Sequence, residues 1–299
     1  MGRRRTPSSR IPDACILSPA PAAAEPPRRI SVIIKESLAF GQRRKTRVEN
    51  LEEILTQLQK LCSVPGREIP LDHAVLLIAR SEYPALDHAR YLAELDRLSG
   101  LARPRLPASR DPLVVLQVLN ALLIEEEGYR GNQEDYYDPR NSFLNDVIDR
   151  KLGIPISLSV IYLEVARRLG FPLVGVSFPG NFLVRHRSAE RDLYVDPFNR
   201  GEILLPQELP KRLASLFGSR TAEAILQKHQ NHLPERFLAD ATPRDILIRM
   251  LTNLREIYLR RRDLERGRHA VAMMLALHPD SEQVQSSIAA IRKMEAALN

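Results

Sequence analysis

Apolar residues recur at intervals of three and four from Val48 onward: Val48, Leu51, Ile54, Leu55, Leu58 and Leu61 share one helical face. The same period predicts helices over 71–79 and 91–98, and a fourth that opens at Asp111-Pro112. There the aspartate can cap the helix, and the proline can occupy its first turn without losing a hydrogen bond. Leu113, Leu116, Leu119, Leu122 and Leu123 line one side of it. Between 156 and 169 the pattern changes. Ile156, Leu158, Val160, Ile161, Leu163, Val165, Ala166 and Leu169 nearly encircle the axis, which marks a buried helix. Pro155 suits its first turn, Arg167 and Arg168 its carbonyl end, and Gly170 the left-handed residue that closes it. After Pro172, strand-like runs follow at 173–178, 182–187 and 192–195, parted by Pro179-Gly180 and by Ser188-Ala189-Glu190. Connections this short predict antiparallel neighbours, and 202–205 reads as an edge strand. Amphipathic helices are expected at 206–217 and 222–229, and everything downstream reads as an appendage.

The stretch 141–205 holds three ordered motifs, GIPISLSVIYLEVARRLG, FPGNFLVR and DPFN. Their order of helix, strand, and strand ending in Asp-Pro resembles the transglutaminase-like papain-type core. Their wording resembles the SirB-type transglutaminase-like core 2 proteins, over roughly residues 65 to 280. Near the C-terminus, Leu251, Leu254, Tyr258, Gly267, Val271, Met274 and Pro279 follow tetratricopeptide spacing, with 281–298 as a terminal helix. A single hairpin of this kind cannot bury its own apolar face, so it should dock on the core or on a partner. Together these features imply an α+β fold: a helical N-terminal subdomain, a papain/transglutaminase-like core with a buried helix on an antiparallel sheet, and a C-terminal α-hairpin of tetratricopeptide type. The expected boundaries are a disordered basic tail over 1–45, helices over 46–135, the core over 136–235 and the hairpin over 240–299.

The resemblance also implies a Cys-His-Asp site, in which a Cys opens the helix, a His opens the next strand and an Asp ends the following one. Counted back from Gly170, these positions fall on Pro155, Asn181 and Asp196. A thiolate nucleophile needs a cysteine and a base to hold its proton; proline supplies neither, and an asparagine amide does not titrate in the useful range. Ser157 and Ser159 lie near the positive end of the helix, about 200° and 40° around the axis from position 155. Ser159 therefore shares the ancestral face, although small hydroxyls here also suit close packing and a bond to a carbonyl. His186 stands five residues beyond Asn181, on the opposite strand face, and is expected to look toward solvent. Upstream, YRGNQEDYYDPRNSFLN at 129–145 is the most polar-aromatic segment. Asp138 or Asn141 is the expected cap of a helix beginning near Ser142, and Asn145 could face the site. Tyr136 and Tyr137 either line a groove or cover the core edge. Asn141, Asn145, Ser157, Ser159, Asn181 and Asp196 are thus candidates to line a recognition cleft. A non-catalytic protein-interaction or regulatory protein is expected. The alternative is a hydrolase or acyl-transferase with a non-standard set such as Ser159 and Asp196.

Composition adds limits. With 44% hydrophobic residues, the 299-residue chain can bury one large core or two modest ones. The formal charge of +7 is local: residues 1–50 hold 11 Lys+Arg against 4 Asp+Glu, and the remaining 249 hold 33 of each. MGRRRTPSSRIPDACILSPAPAAAEPPRR has no period and little apolar surface to offset the entropy of ordering, so it reads as a solvated tail. It lacks the interleaved aromatics of a single-strand binder, and no nucleic-acid contact is expected beyond weak tail contacts. Cys15 and Cys62 have no CxxC or histidine neighbour, which argues against a disulfide framework and fits the reducing cytoplasm. Glu125-Glu126-Glu127 and the His229/His232 pair lack converging ligands, so no metal and no cofactor is expected. No apolar run is long enough to span a bilayer. A protein partner is expected at the cleft or the C-terminal helices. Deleting residues 1–40 is predicted to leave the melting temperature nearly unchanged; a fall of several degrees would show that the tail docks.

Overall fold

A computed structural model describes residues 42–63, 68–188 and 192–298. Four helices lead: α1 (Gln42–Cys62), α2 (Leu71–Arg80), α3 (His88–Ala102) and α4 (Pro112–Asn120), the last running into a π-helical turn at Ala121–Glu126. The expected tail thus lies outside the described residues up to position 41, as does Cys15, whereas 42–45 already belong to α1. A short parallel pair, β1 (Arg130–Gly131) and β2 (Leu152–Gly153), brackets α5 (Leu144–Arg150). The buried helix α6 (Pro155–Leu169) follows, with Pro155 in its first turn and Gly170 at φ 69° closing it. Next come β3 (Val174–Val176), β4 (Leu183–His186), β5 (Leu193–Asp196) and β6 (Glu202–Leu204), then α7 (Leu209–Phe217) and α8 (Ser219–Lys228). The chain ends in β7 (Asp240–Ala241), α9 (Pro243–Arg260), α10 (Leu264–Leu277) and α11 (Glu282–Leu298).

Strands β3 to β7 form one antiparallel sheet in the order β6-β5-β4-β3-β7. β7 was not legible in the sequence, because two residues are too few to show an alternation. Phe182, Val184 and Val195 enter the core that holds α6, whereas Val176, Leu183, Tyr194 and Leu204 pack with Leu209 and Leu213 of α7. Helices therefore cover both sheet faces. His186, expected to look toward solvent, alternates with Phe182 and Val184 onto the α6 side, where Phe171 covers it. It is buried, its ring is stacked on Phe171 at 4.6 Å, and Nδ1 lies 3.0 Å from the Pro172 carbonyl oxygen. The expected capping also changes. Asp138 caps the short 3-10 turn Pro139–Asn141, and α5 begins only at Leu144, without a side-chain cap.

The downstream helices are not an appendage. Ile246, Met250, Leu251, Leu254, Val271, Met274 and Ile291 belong to the same continuous core as Leu51, Ile54, Leu58 and the apolar face of α6. A hairpin that cannot enclose its own face has found that enclosure on α1 and α2. Arg266 fixes the seam, donating to both carboxylate oxygens of Glu82 at 2.7 Å. Glu127 pairs with Arg97 at 2.7 Å and with Lys151 at 3.3 Å. No helix among the described residues is long and apolar enough to cross a membrane.

The polar end of α6 is clamped by charge. Arg168 reaches Asp96, Asp72 and Glu164 at 2.6–2.7 Å, and Arg167 reaches Glu164 and Asp72 at 2.7 and 2.9 Å. Burial pushes the Glu164 carboxyl above its ordinary range despite both arginines. At Asp72 burial pushes the same way, but hydrogen bonds from Arg168 and the His73 amide outweigh it and hold the carboxyl low. Such a clamp sets the register of α2, α3 and α6 more than it adds stability.

A core shared by α1, α2, α6, α9 and α10 predicts cooperative loss. Leu251→Ala should cost about 2–5 kcal/mol, and urea unfolding followed by circular dichroism and by amide exchange in β5 should shift together. An early transition confined to α9–α11 would show that the hairpin stands alone.

Candidate functional site

The positions implied by the triad lie at three element ends. Pro155 opens α6, Asn181 follows the Pro179-Gly180 turn just before β4, and Asp196 closes β5. Gly180 sits at φ 67°, a left-handed turn that brings the Asn181 amide back to the Phe178 carbonyl at 3.0 Å. Antiparallel pairing of β4 and β5 sets Asn181 beside Asp196, and Asn181 Nδ2 donates to Asp196 Oδ2 at 2.7 Å. Asn181 Oδ1 in turn accepts from the Phe182 amide at 2.8 Å, so both ends of the carboxamide are used.

Asp196 is 0% exposed and is served from every side. Asn199 donates its side-chain amide to Oδ2 at 2.7 Å and its backbone N–H to Oδ1 at 3.2 Å. Arg212 of α7 places Nη2 3.4 Å from Oδ2 while pairing with Glu202. A buried carboxylate would otherwise carry a large desolvation cost, and these donors remove it. Asn199 stands within the DPFN motif. Arg212 and the α7 cover had no sequence signal linking them to the site, because the amphipathic pattern of α7 explains them equally well.

The serines are equally committed. Ser157 Oγ lies 2.6 Å from the Asn141 carbonyl and 3.1 Å from that of Ile154, and it accepts the Ile154 amide at 3.1 Å. Ser159, on the Pro155 side of the helix, donates to the Phe182 carbonyl at 3.3 Å, which fastens α6 to the residue after Asn181. Asn141 Nδ2 donates to the carbonyls of Asp135 and Tyr136 at 2.7 and 3.3 Å, and its Oδ1 accepts from Asn132 at 3.1 Å. Asn145 is buried on α5 with no hydrogen-bond partner for Oδ1 among the described residues.

Pro155, Asn141, Asn145, Ser157, Ser159, Asn181 and Asp196 are all buried, so they do not line an open groove. Phe217 and Leu216 of α7 lie over the Gly180 turn, where Phe217 Cζ stands 3.0 Å from the position a Gly180 side chain would take. A substrate could reach Asp196 only if α7 moved. The arrangement holds one ionisable carboxylate, one non-titrating amide and a proline, which together can orient and hydrogen-bond but offer no nucleophile. Among the described residues no group of three or more His, Cys, Asp or Glu side chains converges to hold a metal ion. His229 and His232 fall beyond the last turn of α8, with Gln230 and Asn231 in the left-handed region between them.

A UPF0162 protein of Xylella fastidiosa is 38% identical over 234 residues, covering 78% of this chain and 81% of that protein. A UPF0162 protein of Pseudomonas aeruginosa is 33% identical over 192 residues, covering 63% and 64% of the two chains. F-box only protein 21 of Homo sapiens is 35% identical over 132 residues, which span 40% of this chain and 21% of that protein. No solved structure matches the chain. The family model described as the transglutaminase-like superfamily matches residues 89–252, from α3 through the Asn181–Asp196 pair into α9. By that match and by its fold, this chain belongs to the transglutaminase-like superfamily.

Proposed function

We propose that this protein is a non-catalytic protein-interaction or regulatory member of its superfamily, acting in the cytoplasm. One observation carries the reading: the acceptor capacity of Asp196 is taken up by Asn181, Asn199 and Arg212. In a working triad that carboxylate would orient an imidazole, and here a neutral amide stands in the imidazole's place. The alternative of Ser159 acting with Asp196 finds no support, since the Ser159 proton points to the Phe182 carbonyl. The narrower placement among SirB-type proteins rests on the three motifs, and the tetratricopeptide reading of α9 and α10 rests on the spacing from Leu251 to Pro279.

A surface suited to a protein partner lies where the DPRN segment meets the end of α9. Tyr137 is 47% exposed, packs edge-on against Tyr136 at 5.4 Å, and lies under the Arg260 guanidinium at 4.4 Å. Tyr136 leans on Phe198 of the DPFN turn at 5.9 Å, and Arg261 donates to the Tyr137 carbonyl at 3.2 Å. Tyrosine and arginine are the residues most enriched at binding hot spots, and this pairing suits an acidic, partly apolar segment. The recurrence of the module within F-box only protein 21, as 21% of a longer chain, supports its use as a recognition part.

Two measurements test this. Asn181→Ala should cost about 1–3 kcal/mol of stability, and Asp196→Ala about 3–5 kcal/mol, because it strands the donors of Asn181, Asn199 and Arg212. Neither wild type nor variants should label with serine- or thiol-directed probes at α6. Hydrolysis by wild type that Asn181→Ala abolishes with the fold intact would overturn the reading. In quantitative co-purification, Tyr137→Ala and Arg260→Ala should each reduce recovery of a partner while Asn181→Ala leaves it unchanged. Equal recovery by all three would remove this surface from consideration. Point substitutions are needed, because α9–α11 share the core and their truncation would unfold it.

A further inference from the structure

Away from the triad positions, a cavity of about 620 Å³ opens between α1, α2 and the start of α3. Its walls combine apolar and basic side chains: Leu77 and Leu86 on one hand, Lys60, His73, Arg80 and His88 on the other. Among the described residues none of the lining side chains is acidic. That is unusual in a body whose charges balance after residue 50. His88 Nε2 is shielded from solvent yet has no hydrogen-bond partner, and native structures rarely leave such an atom unsatisfied.

We propose that this cavity binds a small organic anion, an acidic group carried on an apolar body. Lys60, His73, Arg80 and His88 surround the charge, and Leu77 and Leu86 receive the apolar part. The volume falls within the range of small-molecule sites. Arg80 is partly engaged already: its Nη2 holds Glu53 at 3.1 Å, with Glu53 half-exposed on α1. A bound anion competes with Glu53 for that guanidinium, and a turn of the His88 ring toward the cavity gives its Nε2 the acceptor it lacks.

Protonation follows. In the empty cavity burial holds the His88 imidazole below its ordinary range, helped by Arg80 and by His73, while the neighbouring Asp87 pulls the other way. Lys60 faces the same space from α1. An anion reverses the balance and favours the imidazolium, so binding takes up protons and tightens as pH falls through the histidine range.

Calorimetric titration of the full-length protein with phenyl phosphate, benzoate and inorganic phosphate tests this. Phenyl phosphate or benzoate should bind about tenfold tighter than inorganic phosphate, because the ring leaves water. The stronger of the two assigns a phosphate monoester or a carboxylate. His88→Gln and Lys60→Met should each weaken binding about tenfold. Glu53→Gln, a surface change that releases Arg80, should tighten it. The apparent enthalpy should vary with the ionisation heat of the buffer in wild type and not in His88→Gln. No saturable binding of any of the three, or binding unaffected by His88→Gln, Lys60→Met and Glu53→Gln alike, overturns the proposal.

Discussion

A helix that is apolar around most of its circumference has no face to offer water, so α6 must be enclosed on every side. The sheet covers one flank through Phe182, Val184 and Val195, while α2, α3 and α9 supply the others. Each large aliphatic side chain that α6 buries is worth about 1.5–3 kcal/mol. The few polar atoms in this environment are paired at once. Tyr162 donates to Asn120 at 2.9 Å, and Glu164 sits between two arginines. Enclosure of α6 is therefore what recruits the C-terminal helices into the main core.

The same enclosure governs the chemistry at the head of the helix. In dry surroundings a carboxylate is tolerable only with donors in place, and Asp196 has three side chains and a backbone amide around it. An asparagine in the histidine position keeps one of those donors without a group that titrates. Arg212 reaches the carboxylate from α7, so the element that covers the site is tied to the residue it covers. Pro155, Asn181, Asp196 and the cover by α7 thus form a clasp between helix, sheet and cover.

That clasp extends to the surface. Asn141 holds the loop carbonyls of Asp135 and Tyr136, and Ser157 holds the carbonyl of Asn141. Asn120 donates to the Gly201 carbonyl at 2.6 Å and fixes the DPFN turn, where Phe198 meets Tyr136. Residues that could have been read as a substrate cleft instead position an exposed aromatic pair. The anion cavity lies apart from it, on α1–α3, and draws on charges that the α6 clamp leaves unused.

Much of this architecture was legible in the linear pattern. The period of α1 to α4, the encircling apolar residues of α6, and the Pro155, Gly170 and Pro179-Gly180 punctuation predicted helices, strands and turns close to those observed. Those features are local: a helical face or a cap depends on residues within a turn or two. The pairing of Asn181 with Asp196 needed only the resemblance and an antiparallel register. Other outcomes depended on surfaces meeting across the chain. His186 is buried because Phe171, just beyond α6, stacks on its ring, and β7 exists because β3 offers it an edge. Asn141 serves as a loop anchor, not a helix cap, and Arg212 serves Asp196 as well as its own helix. Lys60, His73, Arg80 and His88 share one cavity only because α1 and α2 pack side by side. Amphipathic periods say which face a helix buries; which partner covers that face, and what polar groups are trapped there, is decided only when distant segments compete for the same water-free contact.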